Sequence, residues 1–547
     1  MKIVLSGNKN LATAVVCVVA LVVAVVFTTG MTPTFDSARY ANVAHWLAAG
    51  EGVATSLTVV PVQEGTAEVA TGLHAFTIQP PGLPLLYALT GVENRAVSHR
   101  ILHLISFVCL AWVVMALGRQ ITGRSEVGVA AALLSIFSPG LLQTAANFWT
   151  DLPTMALLLG ALYCLIRGRE FGPRSWVWLV GASILSALAV SLRLTALAFA
   201  AVLLVDIVMH RRLSWRAQLV RIAAGSGIFS AITLWIFLRN LALSGRFTGV
   251  AVPVTPLEVV FSLASGWAYL GSRLMQSLVP GWAFDAVDKA LAVANAGPDI
   301  WRVPAILLFL LVALIAAVVV LRRKQRLSWP QRRGEPVAGA FALAMTFVVA
   351  LLLLLLLPAA RNPDFRVVEF RYVASVLPLL WIGLMCVVMG SGRRLVDLSV
   401  AAILVLAFAI GVPGRYQPYG HDHEYMRGGL NWVKENIGPE TAVMTNGGKV
   451  LLDENLAQRV FHISDWNFSH VLGPDMRTEA GLLKYLQNND IRYVVLFGTP
   501  DMHKATYWGR PIIGLFLEQG WRSWAAYRDR YVKVYRIPAS GPPPGQN

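Results

Sequence analysis

The chain is poor in charge. Only 14% of its 547 residues are Asp, Glu, Lys or Arg, against about 25% in an average soluble domain. Hydrophobic residues make up 56%. That balance excludes an ordinary water-soluble protein and points to a membrane chain. Acids are scarcer than bases: 30 Asp and Glu face 46 Lys and Arg, a net charge of +16. A basic excess first suggests nucleic acid, but its distribution along the chain excludes that partner. Cysteine is also rare. Cys17, Cys109, Cys164 and Cys386 all fall in apolar runs, which excludes a disulfide framework and a Cys-based zinc site. The first apolar run, 11–27, follows Lys2 and Lys9 and lacks an AxA-like cleavage signal. An uncleaved first span is the expectation. No repeat of 20–50 residues is present, so a solenoid is excluded.

What is there is a series of long apolar stretches. A helix needs about 20 apolar residues to cross a bilayer. Eleven stretches approach that length: 11–29, 99–118, 127–146, 152–167, 175–192, 194–209, 219–238, 302–321, 337–357, 372–390 and 395–412. The short connections alternate in charge. Lys2, Lys9, Arg119, Arg124, the Arg167–Arg174 and Arg211–Arg221 groups, 322–333, Arg393 and Arg394 hold 19 of the 46 bases on one side. The positive-inside rule makes that side cytoplasmic. The expectation is a multi-pass protein of the plasma (inner) membrane. Its N-terminus is then cytoplasmic and its C-terminal domain periplasmic or extracellular.

The opposite face carries the long pieces: loops 30–98 and 239–301, and a segment from 413 onward. In the first loop, Tyr40, Val43, Ala44 and Leu47 recur at helical spacing within 36–49. That helix either lies on the membrane surface or packs as an ordinary loop helix. In the C-terminal segment, helical patterns at 429–436 and 479–488 alternate with strand patterns at 441–445, 493–497 and 531–535. This predicts an α/β domain over 413–538, after a membrane domain over 1–412. The Pro/Gly-rich tail, 539–547, is expected to be disordered.

Charged residues at the outer mouths are the candidates for chemistry. Asp36 follows the first span, and Asp151 heads the fourth within Thr150-Asp151-Leu152-Pro153. An acid near a membrane is costly unless solvated, paired or used. Each is equally an acid of a helix start. Arg193, Arg239, Arg361, Arg366 and Arg371 break the inside bias. Each serves either to snorkel to headgroups or to bind phosphate through its planar fork of donors. The segment Gln79-Pro80-Pro81-Gly82-Leu83-Pro84 is a rigid turn entering a helix. His74, His99 and His103 lie near it and receive no metal role.

In order and topology these motifs resemble the GT-C membrane glycosyltransferases that use polyprenyl-phosphate sugar donors. Within that group the chain is similar to the branch with the protein O-mannosyltransferases and the lipid A aminoarabinose transferase. The resemblance rests on Asp36-Ser37-Ala38-Arg39-Tyr40, the Gln79 segment, Arg100, Ser138-Pro139, the Asp151 motif, Ser191-Leu192-Arg193-Leu194-Thr195, Phe370-Arg371-Tyr372 and Leu430–Ile437. It implies a polytopic α-helical fold of about eleven spans with an extracytoplasmic α/β domain. It implies an inverting transfer from a lipid-linked donor to a glycan, glycolipid or protein acceptor. Asp36 takes the place of the catalytic base, and Asp151 that of a second acid holding acceptor or metal. Arg193 and Arg371 face the donor phosphate, with Arg239 a further candidate there. Tyr40 and Gln79 are candidates for the acceptor or sugar. A divalent metal, Mg or Mn, would sit on Asp36 and Asp151. The sequence departs from the pattern in one place: Ser37 stands where many relatives have Glu, and no Asp-x-Asp accompanies it.

Three rival readings share the topology. A flippase or transporter of lipid-linked sugars places its ionisable residues within the spans, whereas here they crowd the outer mouth. An O-antigen ligase or polymerase lacks the early-loop Asp followed by the Pro-Pro turn. A membrane scaffold would tolerate loss of Asp36.

Overall fold

In a computed structural model the described residues are 9–28, 35–60, 74–76, 79–91, 95–146, 150–168, 175–209, 214–244, 342–350, 374–389, 394–411, 426–445, 451, 458–463, 479–497, 524–529 and 531–538. They form two compact units. One comprises 1–31, 77–82 and 99–418, and the other 32–76, 83–98 and 419–547.

The first unit is helical. Its first described helix is α1 (Lys9–Thr28); α2 (Phe35–Ala48) and, past Gly82, α3 (Gly82–Leu89) come next in the chain but fall in the second unit. Then come α4 (Arg95–Thr122), α5 (Ser125–Ile136), α6 (Pro139–Ala146), α7 (Asp151–Arg167), α8 (Ser175–Leu192), α9 (Phe199–Met209) and α10 (Trp215–Ser244). After these come α11 (Leu377–Val388) and α12 (Arg394–Gly411). Among the described residues, 10–28, 99–122 and 215–244 are long and apolar enough to cross a membrane, and five shorter apolar helices accompany them. The expected third span is interrupted. Phe137 ends α5, and Pro139, which has no N–H to donate, opens α6. The expected span 302–321 lies outside the described residues.

Small residues let these helices close up. On α1, Val16, Ala20 and Ala24 recur every four residues and are buried, while Val15, Val18, Val22 and Val26 are exposed. One stripe packs and the other is left for lipid. Between α4 and α5, a Cβ on Gly118 would lie 2.7 Å from the Gly128 Cα, so only glycine permits that approach.

At one end of the bundle, buried acids meet arginines. Arg221 on α10 grips both oxygens of Asp206 on α9 at 3.0 and 3.2 Å and donates to the Gly168 carbonyl at the end of α7. Arg124 donates to the Met389 carbonyl and lies 3.9 Å from Asp397 of α12.

The second unit is a six-stranded sheet between helices. Its strands are β2 (Leu57–Val60), β4 (Ala442–Thr445), β5 (Val460–Ile463), β6 (Ile491–Phe497), β7 (Ala525–Arg528) and β8 (Val532–Arg536), in the order β2-β5-β4-β6-β8-β7. The β2–β5, β5–β4 and β4–β6 pairs are parallel, and the β8 and β7 pairings are antiparallel. A separate two-stranded pair joins β1 (Ala54–Thr55) to β3 (His74–Ala75). Alternation along β6 sends Tyr493, Val495 and Phe497 to one face and Val494 and Leu496 to the other. α13 (Arg427–Asn436) covers the first face through Leu430 and Val433. α14 (Glu479–Asn488) covers the second through Leu483 and Leu486.

One detail differs from the sequence-based expectation. The sheet is not built from the C-terminal segment alone, because β2 comes from loop 30–98, expected to belong to the membrane domain. Of the two readings open for α2, the structure shows a packed helix: Ser37 to Ala44 are all buried, and Ala38 joins the cluster under α13. The tail 539–547 lies outside the described residues.

Candidate functional site

Arg193 owes its position to a break in helical structure. α8 ends at Leu192, Arg193 is extended (φ −157°, ψ 131°), and a 3-10 turn, Leu194–Ala198, follows. Both backbone groups stay bonded: the Arg193 N–H donates to Ala189 (2.9 Å), and its carbonyl accepts from Ala196 (3.1 Å). The side chain reaches the first turn of α7. Nη1 donates to Asp151 Oδ2 at 2.6 Å and to Thr150 Oγ1 at 3.1 Å. The Asp151 side chain is 3% exposed and that of Arg193 16%. Removing one partner of such a buried pair costs about 3–5 kcal/mol, since the other charge loses this counter-ion.

The helix-start reading of Asp151 is therefore incomplete. Thr150 makes no side-chain capping bond; its hydroxyl accepts from Arg193 instead. Asp151 favours the positive end of α7, and its carboxylate also ties that helix to the end of α8.

The Pro-Pro turn belongs to the same place. A Cβ on Gly82 would lie 2.5 Å from both the carbonyl oxygen and the hydroxyl of Ser191. The turn from Gln79 to Gly82 is thus pressed against the turn that carries Arg193. Among the described residues, Gln79 Oε1 is buried and has no hydrogen-bond partner. An unsatisfied amide oxygen of this kind costs about 1–3 kcal/mol.

The other expected residues have no described contact with this pair. Arg239 is on the last turns of α10, where Nη1 donates to Asn240 Oδ1 at 3.3 Å. No described contact joins it to Arg193. Asp36 is in the first turn of α2, and its side chain is outside the described residues. One turn on, Tyr40 is buried and meets Phe76 edge-to-face at 6.4 Å. Arg361, Arg366, Arg371 and the aromatic residues of loop 239–301 also lie outside the described residues.

Sequence reasoning missed Asn42. Its Oδ1 accepts from Thr55 Oγ1 (2.6 Å) and the Ser56 N–H (3.1 Å), and its Nδ2 donates to Ser56 Oγ (2.7 Å). Ser56 Oγ in turn donates to the Gln458 carbonyl (2.9 Å), and the Ser56 carbonyl accepts from Val460 at the start of β5 (3.1 Å). This buried network fastens the helix that carries Asp36 to the sheet. The available signal was an amide amid Tyr40, Val43 and Ala44, in a stretch otherwise fit for a core.

Among the described residues no three His, Cys, Asp or Glu side chains group as a metal site would need. Asp151, one of the two expected ligands, already faces a guanidinium, and a cation placed there would meet like charge.

A model of the dolichyl-phosphate-mannose-protein mannosyltransferase family matches residues 79–238. That segment spans the Gln79 turn, Asp151 and Arg193. Nearly the whole chain also superposes on solved structures. One is ArnT from Cupriavidus metallidurans bound to undecaprenyl phosphate, with a TM-score of 0.53 and 14% identity over 97% of this chain and 99% of that one. The chain has the GT-C fold. Two more GT-C proteins agree. The Archaeoglobus fulgidus oligosaccharyltransferase in its apo form gives a TM-score of 0.55 at 14% identity, over 89% of this chain and 69% of that one. The mycobacterial arabinofuranosyltransferase AftD gives 0.52 at 14% identity, over 96% and 41%. No curated protein matches the chain in sequence. The family match and the GT-C fold together support an integral membrane glycosyltransferase that uses lipid-linked donors.

Proposed function

We propose that the chain moves a sugar from a polyprenyl-phosphate donor to an acceptor hydroxyl at the outer face of the membrane, with inversion at the anomeric carbon. The observation that carries this reading is the Arg193–Asp151–Thr150 arrangement. It sets a fixed guanidinium at a helix end inside the segment matched by the mannosyltransferase family. ArnT, which shares the fold, is bound to undecaprenyl phosphate, the leaving group this chemistry requires.

The steps follow from the charges. As the bond from the anomeric carbon to the donor oxygen breaks, negative charge grows on the phosphate. A pre-oriented guanidinium in a site shielded from water stabilises that charge without reorganising. Arg193 has this role, aided by Arg239 and Arg371. Asp151 is a positioning residue for Arg193. Asp36 removes the proton from the acceptor hydroxyl as it attacks, and a single displacement inverts the centre. Gln79 Oε1 accepts from a sugar hydroxyl, which satisfies its buried oxygen, and Tyr40 borders the acceptor. The Mg or Mn implied by the resemblance would need Asp36 and Asp151 as ligands and would have to displace Arg193. The donor set around Asp151 does not fit that ion, and no step is assigned to it.

The test uses purified full-length chain with an undecaprenyl-phosphate-linked sugar. Asp36→Asn abolishes transfer, while thermal melting and donor binding match the wild type. Transfer at the wild-type rate by Asp36→Asn removes Asp36 as the base.

A further inference from the structure

The end of the bundle opposite Arg193 holds a cavity of about 120 Å³ between α1, α4, α5 and α7, far above the roughly 10–15 Å³ that admits one water. Its walls include Thr13, Trp112, Arg119, Gln120, Ser125 and Tyr163. Tyr163 is twelve residues along α7 from Asp151, about 18 Å at 1.5 Å per residue. The cavity is thus separate from the site built around Arg193.

Its chemistry is that of an anion with an apolar attachment. Among the described residues of this end, Arg221 holds Asp206, and Arg124 faces Asp397. Arg119 differs. It lines the cavity, and among the described residues its guanidinium has no hydrogen-bond or ion-pair partner. Glu126, the acid nearest in sequence, is not among the lining residues. Beside the cavity, the Arg167 guanidinium lies 5.9 Å from the Tyr163 ring centroid and 6.0 Å from that of Trp178. Tyr163 in turn stacks edge-on between Trp112 and Trp178, at 5.9 and 6.0 Å. Trp112, Trp176 and Trp178 are exposed at 42%, 58% and 37%. Exposed tryptophans beside arginines at helix ends mark the level of lipid headgroups. Basic pockets between spanning helices suit acidic headgroups.

We infer that this cavity binds the phosphate headgroup of an anionic phospholipid from the leaflet at the basic end of the bundle. Arg119 meets the phosphate, Gln120 and Ser125 border it, and the acyl chains run past Trp112. The lipid joins four helices, so it acts as a structural ligand of the bundle that supports the donor site.

The experiment takes the full-length chain, purified and stripped of lipid in detergent. It follows melting temperature against added phosphatidylglycerol, phosphatidylcholine or inorganic phosphate. Phosphatidylglycerol raises the melting temperature by several degrees in a saturable way, and the other two do not. Arg119→Gln weakens this response at least fivefold, and Arg119→Lys restores part of it. Ala116→Trp, which leaves Arg119 in place but fills the cavity, abolishes it. The donor KM is unchanged in Arg119→Gln, which separates this site from the transferase reading. An equal response to phosphatidylcholine, an equal response to inorganic phosphate, or an undiminished response in Arg119→Gln overturns the inference.

Discussion

Arg193 and Asp151 are 42 positions apart in sequence and 2.6 Å apart in space, and they close the same end of α7 and α8. Both side chains are largely out of water, so either one alone is a liability. Arg193→Leu is expected to cost about 3–5 kcal/mol. The double variant Asp151→Leu/Arg193→Leu is expected to melt above the single Arg193→Leu, because it also removes the buried carboxylate that has lost its guanidinium. Donor affinity falls in both. Additive losses in the double-mutant cycle would mean that the pair carries no coupling energy, contrary to its geometry.

Gly82 gives an independent handle on the same turn. A methyl group there meets the Ser191 backbone oxygen at 2.5 Å, and a backbone carbonyl has no rotamer with which to move aside. Gly82→Ala is expected to cost about 1–3 kcal/mol, as overpacking does. It also shifts the Gln79 turn against the Arg193 turn. Donor KM rises more than kcat falls. Wild-type kinetics in Gly82→Ala would show that this contact does not position the site.

The span pattern was legible because a bilayer demands long apolar runs, and 9–28, 95–122 and 215–244 obey that demand. The helices at 427–436 and 479–488 and the strand at 532–536 were legible from period alone. The Arg193–Asp151 pair was legible only as two outer charges, since hydropathy says nothing of which helix ends meet. β2 was missed because Leu57-Thr58-Val59-Val60 finds its partner about 400 residues later, and local pattern holds no record of such pairing. Asn42 was missed for a similar reason: its partners Thr55 and Ser56, and the Gln458 carbonyl that Ser56 reaches in turn, make sense of a buried amide only once the chain has folded.

Asn42 carries a prediction of its own. Asn42→Leu removes the amide oxygen that accepts from the Thr55 hydroxyl and the Ser56 N–H, both buried. The expected loss is about 2–4 kcal/mol, in line with the cost of unsatisfied buried groups. Because α2 bears Asp36, transfer falls through kcat while donor binding is kept. Loss of donor binding with kcat intact would place the role of α2 elsewhere.

Tyr485, on α14, gives a test in pH. Burial pushes its hydroxyl up to about 12, from an ordinary value of 10, and among the described residues that hydroxyl has no partner. The folded chain therefore holds the phenolic proton more tightly than the unfolded chain does. The resulting stability is fully present below pH 10 and is lost as pH rises from 10 towards 12, by about 2–3 kcal/mol at most. Tyr485→Phe removes both the ionisable group and an unsatisfied oxygen. It is expected to be neutral or slightly stabilising at pH 7 and to flatten the loss between pH 10 and 12. The difference between wild type and variant in melting temperature, followed across that interval, isolates this one tyrosine from the lysines and tyrosines that titrate in both. Parallel curves would mean that the Tyr485 hydroxyl is not held out of water.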